Sequence, residues 1–345
     1  MDIKDYTLEE IGQFLKEKGY PEFYSKQIFC WVYKKRVEDF TLMTDISKEA
    51  RIFLKDFFYF SKPKILKRFI SKDGTEKFLF SLDDKNAIES VVIPEGKRLT
   101  LCISTQAGCR FGCRFCVSGI GGFKRNLKVS EIVNQFLTIN DIIKPRIITN
   151  IVFMGIGEPL DNFDNLVKSI EILLSPYGVY FGKKRICIST CGIPPRIREL
   201  ISLNLRVRLS ISLHASCEEK RSLIMPVNKK YPLSEVIKVS KEYAKRTNFP
   251  VTFEYILIKD FNCSKEDAFK LAHLIRGINC KVNIIPYNFS PYFKWHSPSI
   301  YDINKFREAL KKKRIFFTFR KSRGQDIEAA CGQLRWVNIN ETETK

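Results

Sequence analysis

The sequence predicts an α/β fold: a parallel sheet curled like part of a (β/α)8 barrel, with a smaller helical and β region before it and a short extension behind. Two observations carry this. After about residue 98, short runs rich in Val and Ile alternate with stretches at helical spacing, strand then helix, repeatedly. Six such units fit into about 190 residues, which is the content of a parallel sheet with helical crossovers. An open doubly wound sheet is the runner-up, and periodicity alone does not choose between the two.

Residues 1 to about 58 read as short helices. "TLEEIGQFLKEKG" carries apolar residues at helical spacing, with Thr7 as N-cap and Glu10 three residues on. "YPEFYSKQIFCWVYKK" starts a second helix near Pro21, and "SKEARIFLKDFF" gives a third. From 64 to 93 the period becomes that of strands, and Asp73-Gly74 marks a hairpin turn. The six barrel strands are then "LTLCIST", "ITNIVFMG", "RICIST", "RLSISLH", "VTFEYILI" and "VNIIPYN". "SEIVNQFLTINDII", "DNLVKSIEILL", "LSEVIKVSKEYAKR" and "SKEDAFKLAHLI" supply helices between most of them. The tail "NINETETK" reads as frayed. These shifts divide the chain into 1–95, an accessory domain; 96–300, the barrel; and 301–345, a C-terminal element. In either topology the C-terminal ends of parallel strands meet at one mouth, so "GIGEP", "IST", "SLH", "PYN" and a cysteine-bearing loop come together there.

Composition narrows the classes. With 44% hydrophobic residues the chain folds, and no run of about 18 apolar residues suits a membrane. The start "MDIKDYTLEEIGQF" lacks the apolar core of a signal peptide, so a cytoplasmic protein without a membrane partner is expected. Eleven cysteines, an odd number, then read as free thiols and ligands rather than a disulfide framework. The net charge is +21. Overuse of lysine in an AT-rich genome is one explanation; a polyanionic partner is the sharper one. "KFREALKKKRIFFTFRKSR" (305–323) holds nine basic residues against one acid, and 26–36 and 62–72 are basic too. Phe316, Phe317 and Phe319 have the character of base-stacking residues, although alternating Phe in a strand is more often core. Charge spread this widely points to a structured nucleic acid gripped from several sides.

"GCRFGCRFCVSG" (108–119) places cysteines at 109, 113 and 116 and no fourth. Zinc wants a fourth protein ligand, and His214, His273 and His296 all lie away from the loop, though a distant cysteine keeps zinc open. Three accidental core cysteines are the blander alternative. A [4Fe–4S] cluster held by three thiolates instead leaves one iron open, and an open metal position is where chemistry happens.

Cys109-x3-Cys113-x-Phe115-Cys116 resembles the signature of radical S-adenosylmethionine (SAM) enzymes. "LCISTQAGCRFGCRFC", "GGFKRNL", "FMGIGEPLDN", "LSISLHAS", "MPVNKKYPL" and "DIEAACGQLR" are similar to the RlmN/Cfr group of RNA adenine methyltransferases, over about residues 25–335. The resemblance implies a radical SAM partial (β/α)6 barrel, one cluster on Cys109, Cys113 and Cys116, and SAM as cofactor. It implies that Cys331 is methylated by one SAM, that a second SAM yields the radical, and that Cys102 releases the product through a transient disulfide with Cys331. Phe115, Gly157, Glu158, Ser189, Ser212, Leu213, His214 and Asn288 match SAM-contacting positions, His214 for binding rather than proton transfer. Glu89 matches a proton acceptor. Without the resemblance, Cys102 and Cys331 pass for core residues and Glu89 for a solvated strand residue. The implied substrates are 23S rRNA in the peptidyl transferase centre and the adenosine 3′ to the anticodon in tRNA, not DNA; the implied electron donor is flavodoxin-like or ferredoxin-like. "MGIGEPL", "GGFKRNL" and "IIPYN" look like the adenine-C2 rather than the C8 enzymes. Gly121, Cys191 and Phe289 depart from the family's usual residues. A radical SAM enzyme acting on protein or small molecules, and a noncatalytic metal-bound RNA-binding protein, are the competing classes.

Overall fold

The computed structural model describes residues 1–335 and 337–338. Beyond Asn338, the tail read as frayed lies outside the described residues. Thr7 caps α1 (Leu8–Glu17) as expected: its hydroxyl accepts the Glu10 N–H at 3.2 Å, and the Glu10 carboxylate accepts the Thr7 N–H at 2.9 Å. α2 (Tyr24–Phe29) runs on through a wider, π-type turn at Cys30–Lys34, closed by Lys35 N–H to Cys30 O at 2.9 Å. Ser47 caps α3 (Lys48–Phe57).

β1 (Lys64–Ile70), β2 (Glu76–Ser81) and β3 (Asn86–Glu95) form an antiparallel meander, with Gly74 at φ +80° in the first turn. β3 pairs with β4 (Arg98–Cys102), so one sheet runs through residue 95 without a break. β5 (Gln106–Gly108) and β6 (Phe123–Asn126) make a separate two-stranded ribbon. The main sheet continues through β7 (Asn150–Phe153), β8 (Ile186–Thr190), β9 (Arg208–Ser212), β10 (Val251–Leu257) and β11 (Cys280–Pro286). It ends at β12 (Phe317–Phe319), while β13 (Val337–Asn338) adds to β3.

From β4 onward every pairing in the path β4-β7-β8-β9-β10-β11-β12 is parallel and follows chain order. A doubly wound sheet needs a reversal of strand order; here there is none, so right-handed crossovers all travel one way and the sheet curls. The crossover helices are α4 (Val129–Ile142), α5 (Phe163–Leu174), α6 (Pro194–Ser202), α7 (Glu218–Ile224), α8 (Leu233–Thr247), α9 (Lys265–Leu274) and α10 (Ile300–Lys312). All six expected barrel strands are present. β12 is a seventh parallel strand, at the sheet edge, and the reading of Phe316, Phe317 and Phe319 as core holds in part: Phe317 is half-buried and packs against the core, whereas Phe316, just before the strand, is 68% exposed and Phe319 38%. An edge strand has a neighbour on one side only, so alternation does not guarantee burial.

Candidate active site

The β5–β6 ribbon brackets the cysteine loop. Gly108 sits at φ +75°, and a Cβ there would lie 1.9 Å from the Gly122 carbonyl oxygen, which accepts the Cys109 N–H at 3.0 Å. The loop is thereby folded back across the mouth of the barrel, and Cys109, Cys113 and Cys116 line one cavity. Burial pushes Cys109 up to about 12 and raises Cys113 and Cys116, and the neighbouring thiols raise Cys113 further. Left alone, these groups stay protonated; a cationic group that displaces their protons relieves the crowding. Among the described residues no three His, Cys, Asp or Glu side chains are placed to hold a single metal ion. A mononuclear zinc draws its thiolates to one point at about 2.3 Å, whereas a cluster spreads them over separate irons. Three thiols lining one cavity are the donor set that a cluster with one open iron would use.

The strand ends line the same cavity. Gly155 and Gly157 let "GIGEP" lie against the start of the cysteine segment: a Cβ would come 2.6 Å from Ser104 N and 2.5 Å from Gln106 Cβ, respectively. Glu158 is buried, its carboxylate accepting the N–H groups of Leu160 at 3.0 Å and Cys191 at 2.7 Å. Burial raises its pKa against these bonds. Cys191 therefore serves through its backbone on the cavity wall. Ser189 and Ser212 face the cavity from β8 and β9. His214, at φ +58°, is 3% exposed and accepts the Ile256 N–H on Nδ1 at 3.1 Å. Burial, with the charge of Arg221, lowers its pKa to about 3, so the ring is neutral and its proton sits on Nε2. Phe115 meets that ring edge-on at 4.7 Å. Leu213 points into the core instead; only its backbone is polar here, its N–H bonding Glu254 O at 3.0 Å.

A second chamber adjoins the first. Cys102, at the end of β4, lines it, and Cys331 lines both chambers. Burial pushes Cys102 up to about 12, with the charge of Cys331 adding and Arg320 opposing. Both cysteines are free thiols. The Cys331 segment is stitched to the cysteine loop by Val117 N–H to Gly332 O at 2.7 Å and Ser118 Oγ to Leu334 O at 2.7 Å. Gly332, at φ +82°, allows the close pass, since a Cβ would stand 3.1 Å from Phe115 O. Asn288 lines this second chamber and donates to Cys331 O at 3.1 Å.

Glu89 is not a solvated residue: it is 6% exposed, paired with Lys77 at 2.9 Å and accepting the Arg335 N–H at 2.8 Å. It lies on the face of β3 shared by Val91 and Ile93, which line the second chamber, but does not itself reach the chamber wall. Gly121 and Phe289 are exposed, and neither lines a chamber. Three polar residues of the site escape sequence reading. Arg320 lines both chambers, its cationic form favoured first by Cys331. Glu254 lines the first, bonded by Asn283 Nδ2 at 2.7 Å. Arg221, behind it, is fully buried with no carboxylate partner among the described residues; it donates to Asn228 Oδ1 and to Cys191 O, both at 2.6 Å. All three stand in segments whose charge or alternation reads as ordinary surface or strand.

A cysteine loop closing a partial barrel over a polar strand mouth defines the class: a radical SAM enzyme. The Radical SAM superfamily matches residues 103–272, and the Ribosomal RNA large subunit methyltransferase N-terminal domain matches residues 1–59. A "Probable dual-specificity RNA methyltransferase RlmN" of Caldanaerobacter subterraneus subsp. tengcongensis is 46% identical, covering 99% of each chain. One of the same name from Dictyoglomus turgidum is 43% identical, again over 99% of both. The crystal structure of a radical SAM methyltransferase from Sphaerobacter thermophilus superposes with a TM-score of 0.90 at 38% identity, covering 97% of this chain and 99% of that one. The chain belongs to the RlmN family of radical SAM RNA methyltransferases. That family implies a [4Fe–4S] cluster and SAM.

Proposed function

We propose that this methyltransferase places a methyl group on C2 of an adenosine in the peptidyl transferase centre of 23S rRNA, and on C2 of the adenosine 3′ to the anticodon in tRNA. It does so in the cytoplasm, through an S-methylcysteine at Cys331 and two SAM molecules, with electrons from a flavodoxin-like or ferredoxin-like donor. Residues 1–95 serve RNA binding, 96–300 the chemistry, and 301–345 carry Cys331. Cys109, Cys113 and Cys116 hold the cluster. Gly157, Glu158, Ser189, Ser212 and His214 receive SAM in the cavity they line, Phe115 packs beside it, and Leu213 contributes backbone; Asn288 acts from the second chamber. When bound, the cluster and SAM would supply the radical chemistry needed to remove hydrogen from a methyl group on Cys331.

The observation that carries this reading is the position of Cys331, on the boundary between the cysteine-lined cavity and the chamber of Cys102. One thiol thus faces both the radical source and the thiol that resolves the adduct. C2 of adenine lies between two ring nitrogens and is too electron-poor to attack a methyl donor, so a carbon radical delivered from sulfur is the workable route. Once the carbon is joined to C2, the adduct's unpaired electron returns to the flavodoxin-like or ferredoxin-like carrier and the C2 proton leaves. Cys102 as thiolate then attacks the Cys331 sulfur, the S–S bond forming as the C–S bond breaks, and the carbon that keeps the bonding pair takes up a proton to become the methyl group. For Glu89 to take the C2 proton, it must give up Arg335 and Lys77.

Anaerobic turnover of Cys102→Ala and Cys331→Ala with labelled RNA, followed by a denaturing gel, tests the roles. Cys102→Ala is expected to stay joined to RNA through Cys331, and Cys331→Ala to form no adduct. Identical behaviour of the two, or an adduct with Cys331→Ala, refutes the assignment. Nucleoside mass spectrometry against 2-methyl- and 8-methyladenosine standards decides the carbon.

A further inference from the structure

The stretch that leaves β12 crosses the outer rim of the Cys331 chamber, and it is pinned there. Ser71 Oγ donates to Asp326 Oδ1 at 2.6 Å, Lys72 N–H to Asp326 Oδ2 at 3.2 Å, and Gly324 N–H to Asp73 Oδ2 at 3.0 Å. The β1–β2 turn therefore clasps residues 324–326 in place. Gly324 fits only as glycine: φ is +63°, and a Cβ would meet Thr75 Cγ2 at 2.8 Å and Ala329 Cβ at 2.9 Å.

Arg323, immediately before this clasp, lines the Cys331 chamber and also a groove on the outer surface, which Lys321 and the partly exposed Phe319 share. Neither Arg323 nor Lys321 has a hydrogen-bond, ion-pair or ring partner among the described residues. An exposed lysine without a partner is ordinary. Arg323 is half-buried, so its stem packs along the rim while its guanidinium keeps contact with solvent and its donors stay free for an anion. Its fork matches phosphate oxygens, and its backbone is already fixed, so little ordering remains to be done on binding. Asp73, the acid in the same groove, is occupied by the N–H groups of Thr75 and Gly324.

An adenine that reaches Cys331 must leave its stack, and its sugar and phosphates stay at the rim. We propose that Arg323 and Lys321 grip the backbone phosphates that flank the extruded adenosine, with Phe319 offering a stacking face to a neighbouring base. This subsite rests on the RNA-methylation reading above. Arg323 acts here as a positioning residue.

The test uses the reconstituted holoenzyme and a short RNA stem-loop carrying the target adenosine. Arg323→Gln, Arg323→Lys and Lys321→Gln are compared by filter binding across a salt series, with iron content and melting temperature showing that each folds. Arg323→Gln is expected to weaken RNA binding at least tenfold and to flatten the salt slope by about one contact's worth, equally for stem-loops of different sequence. Arg323→Lys restores the slope but only part of the affinity. Unchanged affinity and slope in both Gln variants overturns the subsite, as does a loss confined to one RNA sequence. If wild-type enzyme yields no methyladenosine at all, it is the methylation reading that fails, whatever the binding series gives.

Discussion

At the scale of a residue, His214 shows how burial sets a chemical role. Its Nδ1 is committed to the Ile256 N–H, and its pKa lies near 3 against an ordinary 6.5. The ring therefore offers one fixed N–H donor and no proton transfer near neutrality, which is the chemistry the proposed binding role needs. The sign of the linked stability follows. Below about 6.5 the unfolded chain takes a proton that the folded chain refuses, so the stabilising contribution is full above that pH and falls as acidity approaches 3. The slope reaches at most about 1.4 kcal/mol per pH unit. His214→Gln is expected to weaken SAM binding while losing less of its melting temperature than wild type between pH 7 and pH 5.5. An equal loss in both proteins would deny the buried neutral ring. That His214 would sit at the barrel mouth, where it lines the cavity of the three cysteines, was legible from "SLH" at a strand end. Its tautomer was not, because the bond that fixes it comes from Ile256, forty-two residues away. Glu254 and Arg221 were illegible for a similar reason: a charge inside a strand or helix looks solvated until the fold buries it.

Among the elements, the cysteine loop depends most on single backbone positions. Gly108→Ala combines a positive φ with a methyl group 1.9 Å from a carbonyl that holds Cys109. Side chains relax cheaply, but this obstacle is backbone, so the β5–β6 ribbon has to open. The cost is expected to reach roughly 1–3 kcal/mol for the strained conformation alone. The visible outcome is lost iron after anaerobic reconstitution, whereas Gly96→Ala serves as control, since its positive φ of +56° lies in a turn with nothing within 4 Å. Equal iron in both variants would show that the ribbon tolerates opening. The six barrel strands were legible because period and β-branched content coincide in them. The alternating phenylalanines of 316–319 suggested a strand, but its parallel pairing with β11 leaves no mark in local sequence. The continuity of β1–β3 with the barrel was hidden because pairing between β3 and β4 leaves no mark in local sequence.

For the whole molecule, the governing quantity is the charge of +21. Many acids are consumed within the fold, as in Arg36–Asp141, Arg125–Glu131 and Lys77–Glu89, which leaves the surplus cations facing solvent. Lys34 is exposed on the π-type turn, and Lys35 beside it lies over Trp31, an arrangement that satisfies the ammonium without cancelling its charge. RNA affinity should therefore fall steeply with salt. A footprint of about six phosphates gives a log–log slope near −4 for a single strand, or roughly four decades over a tenfold rise in salt. Deleting residues 1–95 is a poor way to assign this field. It removes β1–β3 from the common sheet and bares the edge of β4, so lost binding would follow from damage alone. Reversing charge at Lys34 and Lys35 leaves every strand in place. The double Glu variant is expected to lose RNA affinity at low salt, converge on wild type at high salt, and keep its SAM affinity throughout. A loss that persists undiminished at high salt would be structural, and no loss at any salt would remove this face of the molecule from the RNA footprint.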